Sequence, residues 1–380
     1  QSALAAPELD EQLDEKSPQL THKVELKQAR SEMTRKLLVK EMGGTRESEN
    51  AVAMGLEWLA ACQSRDGRWD VDGFLNAAPD SGTPGFHVQC DVALTGLAIL
   101  CFLGQNHTPT SPLSPYRDHV ARALRWLLRT QGNDGLLAGD DGKYTMYDHG
   151  IATLALGEAF ILSRDEKLRR ALEKAVQIIL RSQNPRTGGW RYQPVPPLRG
   201  DTSISGWQIM ALTSARNGGL EVPDVAFERA RHWLDVEVSS GVHRGIYGYS
   251  RPEEPRVAMV AEGMLMRQLL GARHGDSNVE EAARYIHTQT RTTPFLDNLY
   301  LIYYGTLSLY QYQGWIWERW NSQVRDFLVR TQHKHGPRTG SWDPTGPWSE
   351  SGGQVVSTCF AILSLEVYYR YLPLFWQAKG

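Results

Sequence analysis

This chain carries no excess of charge of either sign: 41 basic residues stand against 43 acidic ones, a formal net charge of -2. It therefore has no electrostatic footprint for neutralising a nucleic-acid backbone. Long hydrophobic runs are missing too. The longest strongly apolar stretch, Val92 to Leu103, falls short of the roughly 20 residues a helix needs to cross a bilayer, so no membrane span is expected. Cysteine is scarce. Four residues (Cys62, Cys90, Cys101 and Cys359) in a chain of 380 are too few for a disulfide framework, and three of them lie in apolar helical patterns where small buried thiols are common. The opening Gln-Ser-Ala-Leu-Ala-Ala-Pro stretch fits a mature secreted, periplasmic or anchored form as well as a cytoplasmic one, so the compartment stays open.

Aromatic residues are absent from the first 49 positions, which are rich in Glu, Lys, Gln and Arg and end near Gly43-Gly44. This segment reads as a charged arm, with a helix over 20–42 whose thin apolar stripe is Val24, Leu26, Met33, Leu37 and Leu38. Residues 50–380 are different. With 41% hydrophobic residues overall, the chain can bury a sizeable core, and from Asn50 one pattern recurs. It consists of an amphipathic helix, a Gln, a turn with Asp-Gly or Gly-Gly and Trp, then a more apolar helix full of small residues. The clearest copies are AVAMGLEWLAACQSRDGRWD with CDVALTGLAILCFLG, and ALEKAVQIILRSQNPRTGGWRYQP with DTSISGWQIMALTSA. Gln63, Gln131, Gln183, Gln289 and Gln332 mark five copies, and a degenerate one lies between Gln183 and Gln289. Internal repetition outranks other fold signals.

In the second helices an apolar-small-apolar triplet recurs, as in Leu97-Ala98-Ile99, Leu154-Ala155-Leu156 and Met210-Ala211-Leu212. Small residues let backbones approach closely, as a crowded inner ring requires, whereas the first helices carry a charged face suited to an outer ring. Six inner and six outer helices then make an all-α (α/α)6 toroid. An open helical solenoid is the structural alternative. The long Gly- and Pro-containing connections at 71–86 and 186–200 speak against it.

The strings QSRDGRWD, QNPRTGGWRY and QHKHGPRTGSWDP resemble the QW motif of the squalene and hopene cyclase superfamily, and SISGWQIMAL is similar to the start of an inner helix in those enzymes. The resemblance spans residues 50–370 and implies structural roles for Gln63, Gln183 and Gln332 with Trp69, Trp190 and Trp342. It does not bring the cyclases' catalytic acid. Their Asp-x-Asp-Asp motif is absent, and in Gly200-Asp201-Thr202-Ser203 a glycine stands in the acid's place. Protein prenyltransferase β subunits are similar in size and bind zinc; FHVQCDVALTGLAIL resembles their inner helix bearing the zinc histidine, which would make His87 the matching position, but the partner Asp-x-Cys pair is missing. The Gly-Cys-Gly-Glu-Gln of thioester domains is absent as well.

Counted back from the triplets, polar residues fall at matching depths at the inner-helix starts: His87, Cys90 and Asp91; Tyr147, Asp148 and His149; Asp201 and Ser203. The candidate catalytic set is His87, Asp91, Asp148, His149 and Asp201, expected together with Tyr147 to line one polar mouth of the ring. The plainer reading of Asp201 is a helix N-cap. His87, Cys90, Asp91 and His149 are the only set that would suit zinc. Tyr147, Trp207, Tyr300 and Tyr303 are candidate ligand-binding residues, since aromatic linings suit prenyl chains, carbocations and sugars. Three functions follow as expectations. The leading one is a cyclase-like or prenyltransferase-like toroid that binds a small apolar or amphipathic, isoprenoid-like ligand in its centre. The second is a carbohydrate-active barrel using two inner-helix carboxylates such as Asp91, Asp148 or Asp201. The third is a non-catalytic interaction module, favoured if side chains such as Trp207 and Met210 fill the centre.

Overall fold

The computed structural model describes residues 30–86, 89–139, 142–197, 199–239, 242–253, 255–346 and 349–370. These residues form helices joined by turns and long loops, with only three isolated β-bridges among them. The first helix, α1 (Glu32–Glu41), precedes six hairpins among the described residues. The outer helices are α2 (Arg46–Ala61), α4 (Arg117–Thr130), α6 (Glu166–Ser182), α8 (Asp224–His232), α10 (Ser277–Thr292) and α12 (Gly314–Thr331). Each is followed by its inner partner: α3 (Asp91–Gly104), α5 (Thr145–Ser163), α7 (Thr202–Asn217), α9 (Val257–Leu269), α11 (Leu299–Tyr312) and α13 (Ser349–Leu365). A last turn, α14 (Val367–Arg370), packs against α1. Every inner helix touches the next, and α13 returns to α3, so the ring is closed.

The division into rings follows from the side chains. In α6 one stripe, including Leu168, Ala171, Leu172, Ala175 and Ile179, is buried while Arg169, Arg170 and Glu173 face solvent. In α3 everything from Val92 to Gly104 is buried, because this helix is enclosed on all sides. Small residues set the spacing. A Cβ at Gly96 would lie 3.2 Å from the Ala152 backbone on α5.

Glutamine and tryptophan build the girdle. Gln63 Nε2 donates to Gly67 O in its own turn and to His119 O on the next outer helix, both at 2.9 Å. Gln131 does the same with Gly135 and Ala171, and Gln183 with Gly188 and Ala226. Gln332 closes the circle, donating to Gly340 O and, at 2.7 Å, to Ala51 O on α2. The indoles of Trp69, Trp190 and Trp342 donate back to Leu59, Ile179 and Leu328 carbonyls of the preceding helix. Gly188 (φ +81°) and Gly340 (φ +94°) are fixed by this arrangement. A Cβ there would sit 1.8 Å from Arg229 O and 2.1 Å from Met54 O respectively, the carbonyls of the next outer helix.

The N-terminal segment differs from the expected stripe. Leu38, Val39 and Met42 are buried, whereas Met33 is 75% exposed and Leu37 lies open as well; Val24 and Leu26 lie outside the described residues. Thr45 and Ser48 form a capping box, so α2 begins four residues before Asn50.

Candidate functional site

Depth along an inner helix sets the height of a side chain in the ring. Direction is a separate matter, because consecutive helical residues turn by about 100°. Tyr147, Asp148 and His149 show the result: three neighbours at one height point three ways. Asp148 reaches sideways, its Oδ1 accepting from Ala93 N at 2.8 Å and its Oδ2 from Gly139 N at 3.1 Å, and so caps the start of α3. His149 turns outward. Its Nδ1 accepts from Leu137 N at 3.1 Å, which leaves Nε2 to donate to Ala175 O on α6 at 2.9 Å. Burial pushes this imidazole down to about 4, so it is neutral and fully committed to backbone.

Asp91 belongs to neither group. Its Oδ1 accepts from Val71 N at 2.9 Å and its Oδ2 lies 3.6 Å from Arg68, which also pairs with Asp70 at 2.8 Å. Burial pushes Asp91 up to about 6 despite the Val71 amide. Cys90, partly buried, precedes it at the N-cap of α3; His87 lies outside the described residues. Among the described residues no three His, Cys, Asp or Glu side chains stand close enough to share a metal ion, and both nitrogens of His149 are already used. The donor set proposed for zinc is therefore not assembled by the residues described.

Tyr147 alone of its trio faces inward. Its hydroxyl is 2.6 Å from Ser203 Oγ, which donates to Asp201 Oδ1 at 2.8 Å. The same Asp201 oxygen accepts from Ile204 N at 2.9 Å, so Asp201 is both the N-cap of α7 and a member of an inward-facing chain. Tyr192 and Tyr249 hydrogen-bond to each other through their hydroxyls, and Tyr249 faces Asp201. Tyr144, Tyr147 and Tyr192 pack ring against ring, with Tyr144 and Tyr192 centroids 5.1 Å apart at 87°. These partly exposed tyrosines form a cup at the inner-helix starts.

Below the cup lies a carboxyl the repeat pattern did not mark. Glu262, fully buried on α9, accepts from the Tyr300 hydroxyl at 2.9 Å through Oε2, while Oε1 has no hydrogen-bond partner among the described residues and occupies the space a side chain at Gly206 would need. The Tyr304 hydroxyl faces it without closing a bond of normal length. Burial, opposed by the Tyr300 and Tyr304 hydroxyls, pushes Glu262 well above the carboxylate range. Burial, followed by the charge of Asp201, also raises Tyr147. Burial and then Glu262 raise Tyr300, which feels Tyr147 from the far side of the ring. Trp207 on α7 stacks on Tyr303 of α11, ring centroids 5.7 Å apart at 15°, and meets Tyr304 edge-on. Because α9 separates α7 from α11 in the ring, this contact crosses the centre. Tyr300 and Tyr303 also meet Phe360 of α13. The second helical turn of the inner ring is thus bridged by aromatic side chains.

Glu262 stood in the degenerate fourth copy and carried no motif. The only sequence signal for it is a lone acid inside the apolar run VAMVAEGMLM. A Cβ at Gly200 would come within 2.9 Å of Gly189 Cα and Trp190 O, leaving no room for a side chain at that place.

No protein-family model matches the chain. It is 28% identical over 203 residues to a probable squalene–hopene cyclase of Sinorhizobium fredii, a match covering 48% of this chain and 29% of that protein. It is 29% identical over 222 residues to an enfumafungin synthase of Hormonema carpetanum, covering 53% of this chain and 16% of that one. The chain thus spans less than a third of the length of these curated relatives. Among solved structures, an α-1,6-mannanase of Salegentibacter superposes with a TM-score of 0.60 at 12% identity, covering 84% of this chain and 98% of that one. A type II terpene cyclase from Scytonema, solved with geranylgeranyl dihydroxybenzoate, gives 0.53 at 14% identity, covering 87% and 98%. The fold is an (α/α)6 toroid shared by both enzyme classes. The sequence matches make the chain terpenoid cyclase-like, at modest identity.

Proposed function

We propose that this toroid binds a small amphipathic, isoprenoid-like ligand at the mouth formed by the starts of its inner helices. The carrying observation is the convergence of side chains from different repeats on one centre: Tyr147, Ser203 and Asp201 above, Glu262 and Tyr300 beside them, Trp207 and Tyr303 as the floor. Aromatic faces offer area and polarisability to an unsaturated chain. The Tyr147 and Ser203 hydroxyls and the Glu262 carboxyl offer hydrogen bonds to its polar end. The sequence likeness to cyclases and the terpene cyclase solved with a geranylgeranyl compound support an isoprenoid over other amphiphiles.

Calorimetric titration with a C15–C20 isoprenoid alcohol tests this reading. Saturable binding is expected, lost when Ser203→Trp fills the cup and kept in Asp91→Asn, which alters a carboxylate outside it. Equal binding by both variants would refute the site.

A second reading has one observation in its favour: Asp201 and Glu262 are two carboxyls close enough to feel each other's charge beneath the tyrosine cup, as a sugar-processing pair would be. Asp91 and Asp148 are committed to backbone amides elsewhere, so the carbohydrate reading must rest on Asp201 and Glu262. Depolymerisation of α-linked oligosaccharides, abolished by Glu262→Gln, would establish it.

A further inference from the structure

At the opposite end of the barrel, where the inner helices finish, a cavity of about 500 Å³ opens between the N-terminal segment and the loop after α3. Its wall is made by Arg30 and Arg35 on one side and by Gln105 to Ser114 on the other, with Leu162 of α5 behind. The Arg35 guanidinium and four hydroxyl side chains (Thr108, Thr110, Ser111 and Ser114) line this space, with the Arg30 side chain fully buried behind it. The single acid in the wall, Glu32, is an exposed residue already bridged to Lys36 at 2.8 Å.

The two arginines are held differently. Arg30 is buried and built in. Its Nη2 donates to Glu158 Oε2 at 2.8 Å, its Nη1 donates to Leu103 O at 3.0 Å, and its Nε has no partner among the described residues. Arg35 is loosely held, 3.7 Å from Glu49 and 3.4 Å from Gln105 Oε1, so it is free to re-aim at a ligand. His107, in the same wall, is pushed down to about 4, first by burial and then by the Arg35 charge, and its Nδ1 pairs with Ser114 Oγ at 2.9 Å. Behind the wall Glu158 is paired with both Arg30 and Arg370.

We propose that this cavity is a site for a small molecule bearing an oxyanion of the phosphate type, separate from the mouth and independent of what binds there. Guanidinium forks match phosphate oxygens in geometry and charge, and hydroxyls complete the shell. The volume exceeds what an inorganic ion needs and falls within the range of small-molecule sites. A phosphomonoester fits it better than free phosphate.

Titration of the full chain at 150 mM salt with inorganic phosphate, glycerol phosphate and glycerol, followed by calorimetry and 31P line broadening, tests the proposal. The expected result is saturable binding of both anions, tighter for the ester, none for glycerol, and a loss of at least tenfold in affinity in Arg35→Ala that Arg35→Lys partly restores. Arg35→Ala removes a loosely held side chain, so its melting temperature should stay within a few degrees of the parent's. Absence of saturable binding for both anions, or binding unchanged in a folded Arg35→Ala, would overturn the proposal.

Discussion

The girdle and the mouth of this barrel are built by opposite logics. In the girdle one device is repeated: a Gln joins its own turn to the next outer helix, a Trp returns to the helix before, and a glycine of positive φ lets the neighbouring carbonyl approach. In the mouth nothing repeats. Tyr147, Asp201, Glu262 and Tyr300 come from four different copies, and each copy contributes a different chemistry. Repeated positions carry closure of the ring, and the departures from the repeat carry the candidate chemistry.

That comparison is sharpened by variants whose effects should separate. The largest effect belongs to the girdle. Trp190→Ala removes a fully buried indole and its bond to Ile179 O, and by the usual range for such truncations it should cost about 3–5 kcal/mol in a urea unfolding series. Retention of parental stability would show that the girdle is decorative.

Acid should act next, again through a structural group. His149 has its folded value pushed down to about 4, below the ordinary imidazole value near 6.5. The unfolded chain therefore takes up this proton first as pH falls, and stability is lost between about pH 6.5 and 4. Two and a half units correspond to about 3 kcal/mol at most. Denaturant midpoints measured from pH 7 to 4 in the parent and in His149→Gln should converge at the acid end, and parallel profiles would contradict the assignment.

Gln332→Ala should cost less, about 1–3 kcal/mol, because it leaves the Ala51 and Gly340 carbonyls without their donor at the seam of the ring. Amide exchange in α2 and α12 should rise first. Uniform exchange throughout the chain would show that the seam is not special.

In the mouth the effect on stability is expected in its pH dependence. Glu262 is held above its ordinary value by burial, so the fold keeps a proton that the unfolded chain releases, and the parent loses stability as pH rises above the ordinary carboxyl range. Glu262→Gln should be nearly neutral at pH 5 and gain on the parent steadily toward pH 8. A difference that stays constant with pH would mean the acid is ionised in the fold.

How much of this was legible in the sequence follows from the same contrast. The ring was legible because Gln63, Gln183 and Gln332 recur with Trp69, Trp190 and Trp342, and the small-residue triplets separate inner from outer helices. The mouth was legible in height alone. Equal depth placed Tyr147, Asp148 and His149 together, yet the 100° turn per residue sends Asp148 to the start of α3 and His149 to α6, and only Tyr147 reaches the centre. Asp201 reads as a cap and is one, while also holding Ser203 toward Tyr147. Glu262 and the Trp207–Tyr303 stack depend on contacts across the ring between copies, which no local pattern encodes.

The central claim is that a ligand sits in the mouth, against side chains of several repeats. Photolabelling with an isoprenoid alcohol bearing a diazirine, followed by peptide mapping, addresses it most directly. The account predicts label on peptides containing Tyr147, Ser203 or Tyr300, reduced by Ser203→Trp. Label confined to outer-helix peptides, or unchanged by that substitution, would contradict it.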